Sequence, residues 1–393
     1  MAEWIECSIG DLCSTISDTY KGNDEYVVLV NTSDVLEGKV LNHETVANKN
    51  LKGQFKKTFK REDILYSEIR PANKRFAYID FENTSNYIAS TKLMVLRHNE
   101  KVLPEYLFAM LKSNYVIAEL QHLAETRSGT FPQITFSSEL APMKAFLPDK
   151  DTQKRIVSIL SSIEQKIDLN NKINNNLLEQ ALTLYTTQFA TLERNGCVGD
   201  YCSIKSGFAF KSSWWTHNGV KVIKIGSISQ DNLNLLECSY VDEDKIDKAK
   251  DFKVGAGDLL IAMTGATIGK FAMVPYSSEM LLVNQRVGKF FLGDNPVEKL
   301  PFIYCTLKQP EVYYEIVNRG QGSAQPNISA SDIMSIPCVI SSKEKINEFN
   351  DTAQPLFDLI ISNQRENQQL SELRDSLLPK LMSGELDVSD IDL

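Results

Sequence analysis

Two stretches of this chain follow one spacing rule, and that rule constrains the fold more than any other feature. Ile156, Leu160, Ile163, Ile167, Asn170, Asn174, Leu177, Ala181 and Leu184 alternate four- and three-residue steps, the pattern that keeps one stripe of a helix facing a partner helix. Phe349, Ala353, Leu356, Ile360, Asn363, Asn367, Leu370, Arg374 and Leu377 repeat the pattern, each asparagine standing 193 residues after its counterpart. An amide in an apolar stripe costs stability unless a polar group meets it, so it penalises every register that faces it with hydrocarbon. An antiparallel pairing satisfies all four amides, with Asn170 against Asn367 and Asn174 against Asn363. Ile156 then falls opposite Leu381, Leu160 opposite Leu377, Ile167 opposite Leu370, Leu177 opposite Ile360, and Ala181 opposite Leu356. Ile163 meets Arg374, a weak layer in which the guanidinium must bend outward over its own stem. The competing reading is two ordinary amphipathic helices, each packed on its own domain.

The repetition extends beyond the helices. Ile9-Gly-Asp-Leu-Cys-Ser14 is answered by Val198-Gly-Asp-Tyr-Cys-Ser203, and the β-branched run Tyr26-Val-Val-Leu-Val30 by Val220-Lys-Val-Ile-Lys-Ile225. Asp63-Ile-Leu-Tyr66, leading to Phe76-Ala-Tyr-Ile79, parallels Asp258-Leu-Leu-Ile261, leading to Phe271-Ala-Met-Val274. Each pair reads as two strands flanking a tight connection. A short helix follows in each half, at 105–112 and 302–308, then a small-residue loop, at 127–134 and 322–328, then one more strand and the long helix. Drifts of a few residues in the offset are what loop insertions in a duplicated unit produce.

The expected fold is α+β: two similar globules joined by two long helices that form an antiparallel coiled coil, giving one polypeptide a pseudo-two-fold axis. Residues 1–150 form the first globule, 151–190 the first long helix, 191–342 the second globule, 343–384 the second long helix, and 385–393 an acidic tail. A chain of 393 residues suits such a division, because single cores stop growing well before that length. About 33 helical residues at ~1.5 Å each make a rod of about 50 Å. Two heads on such a rod suit a duplex whose contact sites lie about one turn, ~34 Å, apart.

Composition narrows the chemistry. The longest apolar runs, such as Leu259-Leu-Ile-Ala-Met263, fall far short of the roughly 20 residues of a membrane span, and the first residues carry no basic and apolar leader. A cytoplasmic protein without membrane contact is expected. The seven cysteines include no Cys-x-x-Cys pair, so neither a disulfide framework nor a zinc ribbon is suggested. The four histidines are scattered singly, and no metal site is expected.

A net charge of −9 argues against a nucleic-acid binder only if charge is read globally. Lys49, Lys52, Lys56, Lys57, Lys60 and Arg61 occur without an intervening acid, and Arg70, Asn73, Lys74 and Arg75 follow in the connection between strands. The second half offers Lys205 and Lys211 beside Trp214 and Trp215, then Thr264, Thr267 and Lys270, then Gln285 and Arg286. Cations hold phosphates, while Asn, Gln, Thr and Arg pair with base edges. Gly265-Ala-Thr-Ile-Gly-Lys270 is not a phosphate-binding Walker loop, which needs four residues between its glycines and Ser or Thr after Lys. It reads as a strand-to-strand turn. Trp214 and Trp215 read first as core or subunit contact.

With both halves, both helices, the Gly322-Ser-Ala-Gln-Pro-Asn-Ile-Ser329 stretch and the terminal Leu377-Leu-Pro-Lys-Leu-Met-Ser-Gly-Glu-Leu386 in this order, the chain resembles the specificity subunit of type I restriction-modification systems over nearly its full length. The resemblance implies a non-catalytic subunit that binds double-stranded DNA, each globule a target recognition domain reading one half of a bipartite site. It further implies two methyltransferase subunits docked around the helices, with S-adenosylmethionine bound in those partners and no cofactor in this chain. Motor-nuclease subunits would join for cleavage. No adenine-methylation motif, glycine-rich cofactor fingerprint or nucleophile-base-orienter set is present, which agrees. The alternatives are a recognition chain of a related single-methyltransferase system and a coiled-coil scaffold that never touches DNA.

Overall fold

The computed structural model describes residues 4–49, 51, 53–127, 131–321, 326–389 and 391. Lys52, residues 128–130 and 322–325 of the two small-residue loops, and Asp390 and Asp392 of the acidic tail lie outside them. The chain divides into two compact units, Met1–Gln165 with Leu370–Leu393, and Lys166–Gln369. It mixes helix and sheet and contains a first long helix, Lys150–Phe189, and a second, Lys343–Ser383.

In the first unit the central sheet runs Cys13–Ile16, Leu93–His98, Ile64–Ser67, Phe76–Tyr78, antiparallel throughout. Successive side chains of a strand point to opposite faces, and here both faces are covered. Ile64, Tyr66, Met94 and Leu96 enter a core shared with helices Pro104–Leu111 and Asn114–Arg127. Leu65, Leu93, Val95 and Ala77 enter a second core beneath another sheet. That sheet runs Thr45–Ala47, Tyr26–Val30, Tyr87–Ser90, Phe55–Lys57, with its middle pair parallel. Burial on both faces is why these strands read as unbroken apolar runs rather than as an alternation.

The second unit has the same plan. Its central sheet runs Ser203–Ser206, Val287–Phe291, Leu259–Ala262, Phe271–Met273. Leu259, Ile261, Phe271 and Phe290 face helices Leu300–Leu307 and Pro310–Gly320, while Leu260 and Ala272 face the other way. The covering sheet again holds one parallel pair, Val220–Ile223 with Leu281–Val283. Strand Ile5–Ser8 pairs with Lys144–Leu147, and Gly196–Cys197 pairs with Pro337–Cys338. After each opening strand a single helical turn is closed by a reciprocal cap, Ser8 with Asp11 and Cys197 with Asp200. The second helix of each pair was not expected from sequence, although Val116, Ile117, Leu120 and Ala124 stand at helical spacing and Pro310 occupies a first-turn position.

Buried amides tie the long helices into these cores. Gln153 accepts from the Leu103 amide at 2.8 Å, and Asn350 accepts from the Phe302 amide at 2.9 Å. Each thereby satisfies an unpaired N–H at the start of a short helix. In the second unit Asn170 donates to Asn367 at 2.9 Å and Asn363 donates to Asn174 at 2.8 Å. Residue numbers rise along one segment as they fall along the other. Asn170 also donates to Glu366, which pairs with Lys166 at 3.2 Å. Toward the end of the first long helix burial passes to Leu178, Tyr185 and Phe189, leaving Leu184 only partly covered. A stripe of 3.5-residue period drifts about 20° per heptad around a 3.6-residue helix, and here the adjoining aromatic core takes over. In the first unit Ile156 and Leu160 share a core with Leu378 and Leu381, and the Arg374 guanidinium turns onto Asp375.

One buried carboxylate opens the hairpin of each unit. Asp63 accepts from the Lys60 amide at 2.8 Å and takes two 2.7 Å bonds from Arg97. Asp258 accepts from the Gly255 amide at 2.9 Å and from Lys289 at 2.7 Å. Removing the cation strands a buried carboxylate, so Arg97→Leu is expected to lower unfolding free energy by about 3 kcal/mol. Urea denaturation followed by circular dichroism measures this, and an unshifted midpoint would refute the role given to the pair.

Candidate nucleic-acid interface

The hairpin of each unit ends in a turn that backbone bonds lash to two other segments. In the first unit the Glu68 amide donates to the Lys92 carbonyl at 3.0 Å, the Ile134 amide to Glu68 at 2.8 Å, and the Arg70 amide to Pro132 at 3.1 Å. In the second, Met263 donates to Arg286 at 3.0 Å, Ile328 to Met263 at 2.9 Å, and Gly265 to Pro326 at 2.9 Å. The two sets correspond at separations of 194 or 195 residues. A strap, the described end of the small-residue loop, therefore crosses the hairpin end beside the connection between two strands, once in each unit.

The second unit gathers most of its candidate residues there. Gly207 donates to Val287 at 2.9 Å, Phe208 to Val283 at 2.8 Å, and Gln285 to Phe208 at 2.9 Å. These bonds place the Lys205 to Lys211 segment against Asn284, Gln285 and Arg286. A Cβ on Gly207 would lie 2.3 Å from the Val283 carbonyl oxygen, so glycine is required for this approach. Lys205, Lys211, Gln285 and Arg286 are exposed, and Thr264, Thr267 and Lys270 are half-buried. The Thr264 hydroxyl is buried without a partner among the described residues. Gly265 and Gly269 take φ of +73° and +81°, the turn geometry expected of this stretch. Trp214 and Trp215 are half-buried against Phe208 and Phe210, and the Lys224 ammonium lies 3.5 Å from the centre of the Trp215 ring. Burial lowers the Lys224 ammonium below the usual lysine range.

The first unit spreads its candidates more widely. Lys56 is exposed, whereas the Lys57 ammonium donates to the Leu93 carbonyl at 2.8 Å, and burial lowers it below the usual lysine range. Lys60 and Arg61 are exposed at the far end of strand Ile64–Ser67 from the strap, with Arg61 paired to Glu82. The Arg75 guanidinium is spent on the carbonyls of Ser33 and Val35, at 3.0 and 3.3 Å. Arg70 and Asn73 are exposed on the turn, and Lys74 pairs with Glu37 at 3.5 Å. Arg70 and Lys74 take φ of +45° and +51°, at the positions matching Gly265 and Gly269.

Sequence reasoning missed Lys92, which stands where the second unit has Arg286. Counting back the repeat length from Arg286 would have found it. It also passed over Glu68 and Gln133 beside it. Among the described residues no three His, Cys, Asp or Glu side chains gather as a metal site, and no helix is long and apolar enough to cross a membrane.

The family model for the type I restriction modification DNA specificity domain matches residues 1–179 and again 194–372. The chain belongs to this family. It is a DNA specificity subunit of a type I restriction-modification system. The HindI specificity subunit of Haemophilus influenzae is 30% identical, over 98% of this chain and 100% of that one. The MjaVIII specificity subunit of Methanocaldococcus jannaschii is 22% identical, over 77% of this chain and 75% of its own length. The solved S subunit of the type I system from M. genitalium is 15% identical, covers 99% of this chain and 97% of that one, and superposes with a TM-score of 0.48.

Left-handed backbone costs a non-glycine residue roughly 1–2 kcal/mol, part of which glycine returns as chain entropy. In this specificity subunit Arg70→Gly and Lys74→Gly are each expected to raise stability by about 0.5–1 kcal/mol while weakening DNA binding. Denaturation and duplex titration on the same samples test this. Unchanged DNA affinity in both variants would remove the turn from the interface.

Proposed function

We propose that each globule of this specificity subunit, residues 1–150 and 191–342, reads one half of a bipartite DNA site. The helices at 151–190 and 343–384 clasp as an antiparallel coiled coil that sets the distance between the halves, followed by the acidic tail at 385–393. The observation carrying this reading is the duplicated junction of hairpin, strand connection and strap, one per unit, with exposed cations and amides around it. The amide pairs Asn170–Asn367 and Asn174–Asn363 support the coiled coil, because an amide met by an amide fixes register.

The subunit performs no chemistry itself. Two methyltransferase subunits that bind S-adenosylmethionine dock along the helices, motor-nuclease subunits join where cleavage is performed, and the assembly works in the cytoplasm. Phosphate contacts release counterions, so affinity for random duplex should fall steeply with salt. Binding measured with the methyltransferase present, from low to physiological salt, tests this, and salt-independent silence would instead support a scaffold that never touches DNA. The ruler is tested separately. Asn170→Leu combined with Asn367→Leu should hold or raise the melting temperature, since an apolar pair replaces a part-buried polar one, yet broaden the spacer lengths that are methylated. A double variant with wild-type spacer preference would detach the amides from spacing.

A further inference from the structure

We propose that the crossing of strap and hairpin is the base-reading contact of each unit, with Glu68, Lys92 and Gln133 setting specificity in the first and Arg286 and Asn327 in the second. The inference rests on the bipartite reading above and names the side chains that would carry it.

At both crossings the backbone is the same and the side chains are not. The same main-chain bonds hold the junction in both units, and the positions of Glu68, Lys92 and Gln133 are taken in the second unit by Met263, Arg286 and Asn327. Side chains that change so freely on an unchanged backbone are not what builds it. In the first unit they form a partly exposed network. Gln133 donates to Glu68 at 2.9 Å, and the Lys92 ammonium lies 3.5 Å from the Gln133 oxygen and 3.7 Å from the Glu68 carboxylate.

Glu68 separates base reading from phosphate holding. A carboxylate repels phosphate, so the favourable contact it can offer DNA is to accept from a base amino group, as Glu does from cytosine N4. Met263 at the matching position shows that the junction needs no carboxylate. In the second unit Arg286 is exposed, and its planar fork matches the O6 and N7 of guanine, while the Asn327 amide matches the N6 and N7 of adenine. The half-sites are therefore read by different chemistry on one scaffold, the second requiring a guanine and the first a base with an exocyclic amine.

The test is sequencing of methylated DNA from cells producing the full-length chain with its methyltransferase subunits. A wild type that yields no bipartite motif would defeat the bipartite reading itself. Given that motif, Arg286→Ala should relax one guanine of the second half by about 10- to 100-fold and leave the first half intact. Glu68→Ala should relax one position of the first half only. Arg286→Lys and Glu68→Gln, which keep bulk and hydrogen bonding but not the fork or the charge, decide the matter where an alanine variant methylates nothing. Relaxation confined to the expected half supports the proposal. An unchanged motif in all four variants, a change in the wrong half, or loss of all methylation in all four overturns it, because a base contact gives a graded and local loss.

Discussion

Each unit is organised around a four-stranded sheet with an inner strand that has no solvent face. Side chains of both parities along Ile64–Ser67 and Leu259–Ala262 are committed to cores, one helical and one under a second sheet. At about 25 cal/mol per Å² of apolar surface removed from water, almost any polar substitution within these strands is costly. Variation is thus driven to the strand ends, where hairpin turn, strand connection and strap meet and where main-chain bonds carry the structure. Side chains can change there without disturbing a core.

Four of the buried polar groups have a positional task. Gln153 and Asn350 satisfy the open N–H groups at the starts of short helices, so a long helix and the globule beside it cannot slide past one another without stranding an N–H. Asp63 and Asp258 close the turn before the hairpin and are neutralised from a neighbouring strand, by Arg97 in one unit and Lys289 in the other. The cations stand at different strand positions, yet the requirement is the same: a buried carboxylate must be paired and hydrogen-bonded.

The long helices were legible because their asparagines break an apolar stripe at fixed steps, and the hairpins because Asp-Ile-Leu-Tyr and Asp-Leu-Leu-Ile recur with their partner strands. Helices Asn114–Arg127 and Pro310–Gly320 were overlooked although their apolar residues keep helical spacing, since each follows another short helix after a break of two residues. The basic stretch was less legible. A run of lysines announces charge but cannot say that the ammonium of Lys57 will find a main-chain carbonyl, or that Arg75 will clamp the loop at 33–35. Lys92 was invisible for the opposite reason: a lone lysine between strands carries no pattern of its own. Only the correspondence of the two halves exposes it.

That correspondence is most telling where the halves disagree. At two positions of the hairpin turn the second unit uses Gly265 and Gly269, which adopt left-handed backbone without steric cost, while the first places Arg70 and Lys74 in the same geometry. Chain statistics and sterics favour glycine at both, so two long cations there are a local conflict between residue and conformation. Such conflicts persist where surrounding structure over-determines the backbone, and they cluster at functional sites. The surrounding structure is on hand: the bond from the Arg70 amide to Pro132 and the sheet behind it impose the turn regardless of which residue occupies it. A turn whose shape is imposed from outside is free to present whatever side chains its ligand requires, at a strain that the doubly buried sheet can absorb.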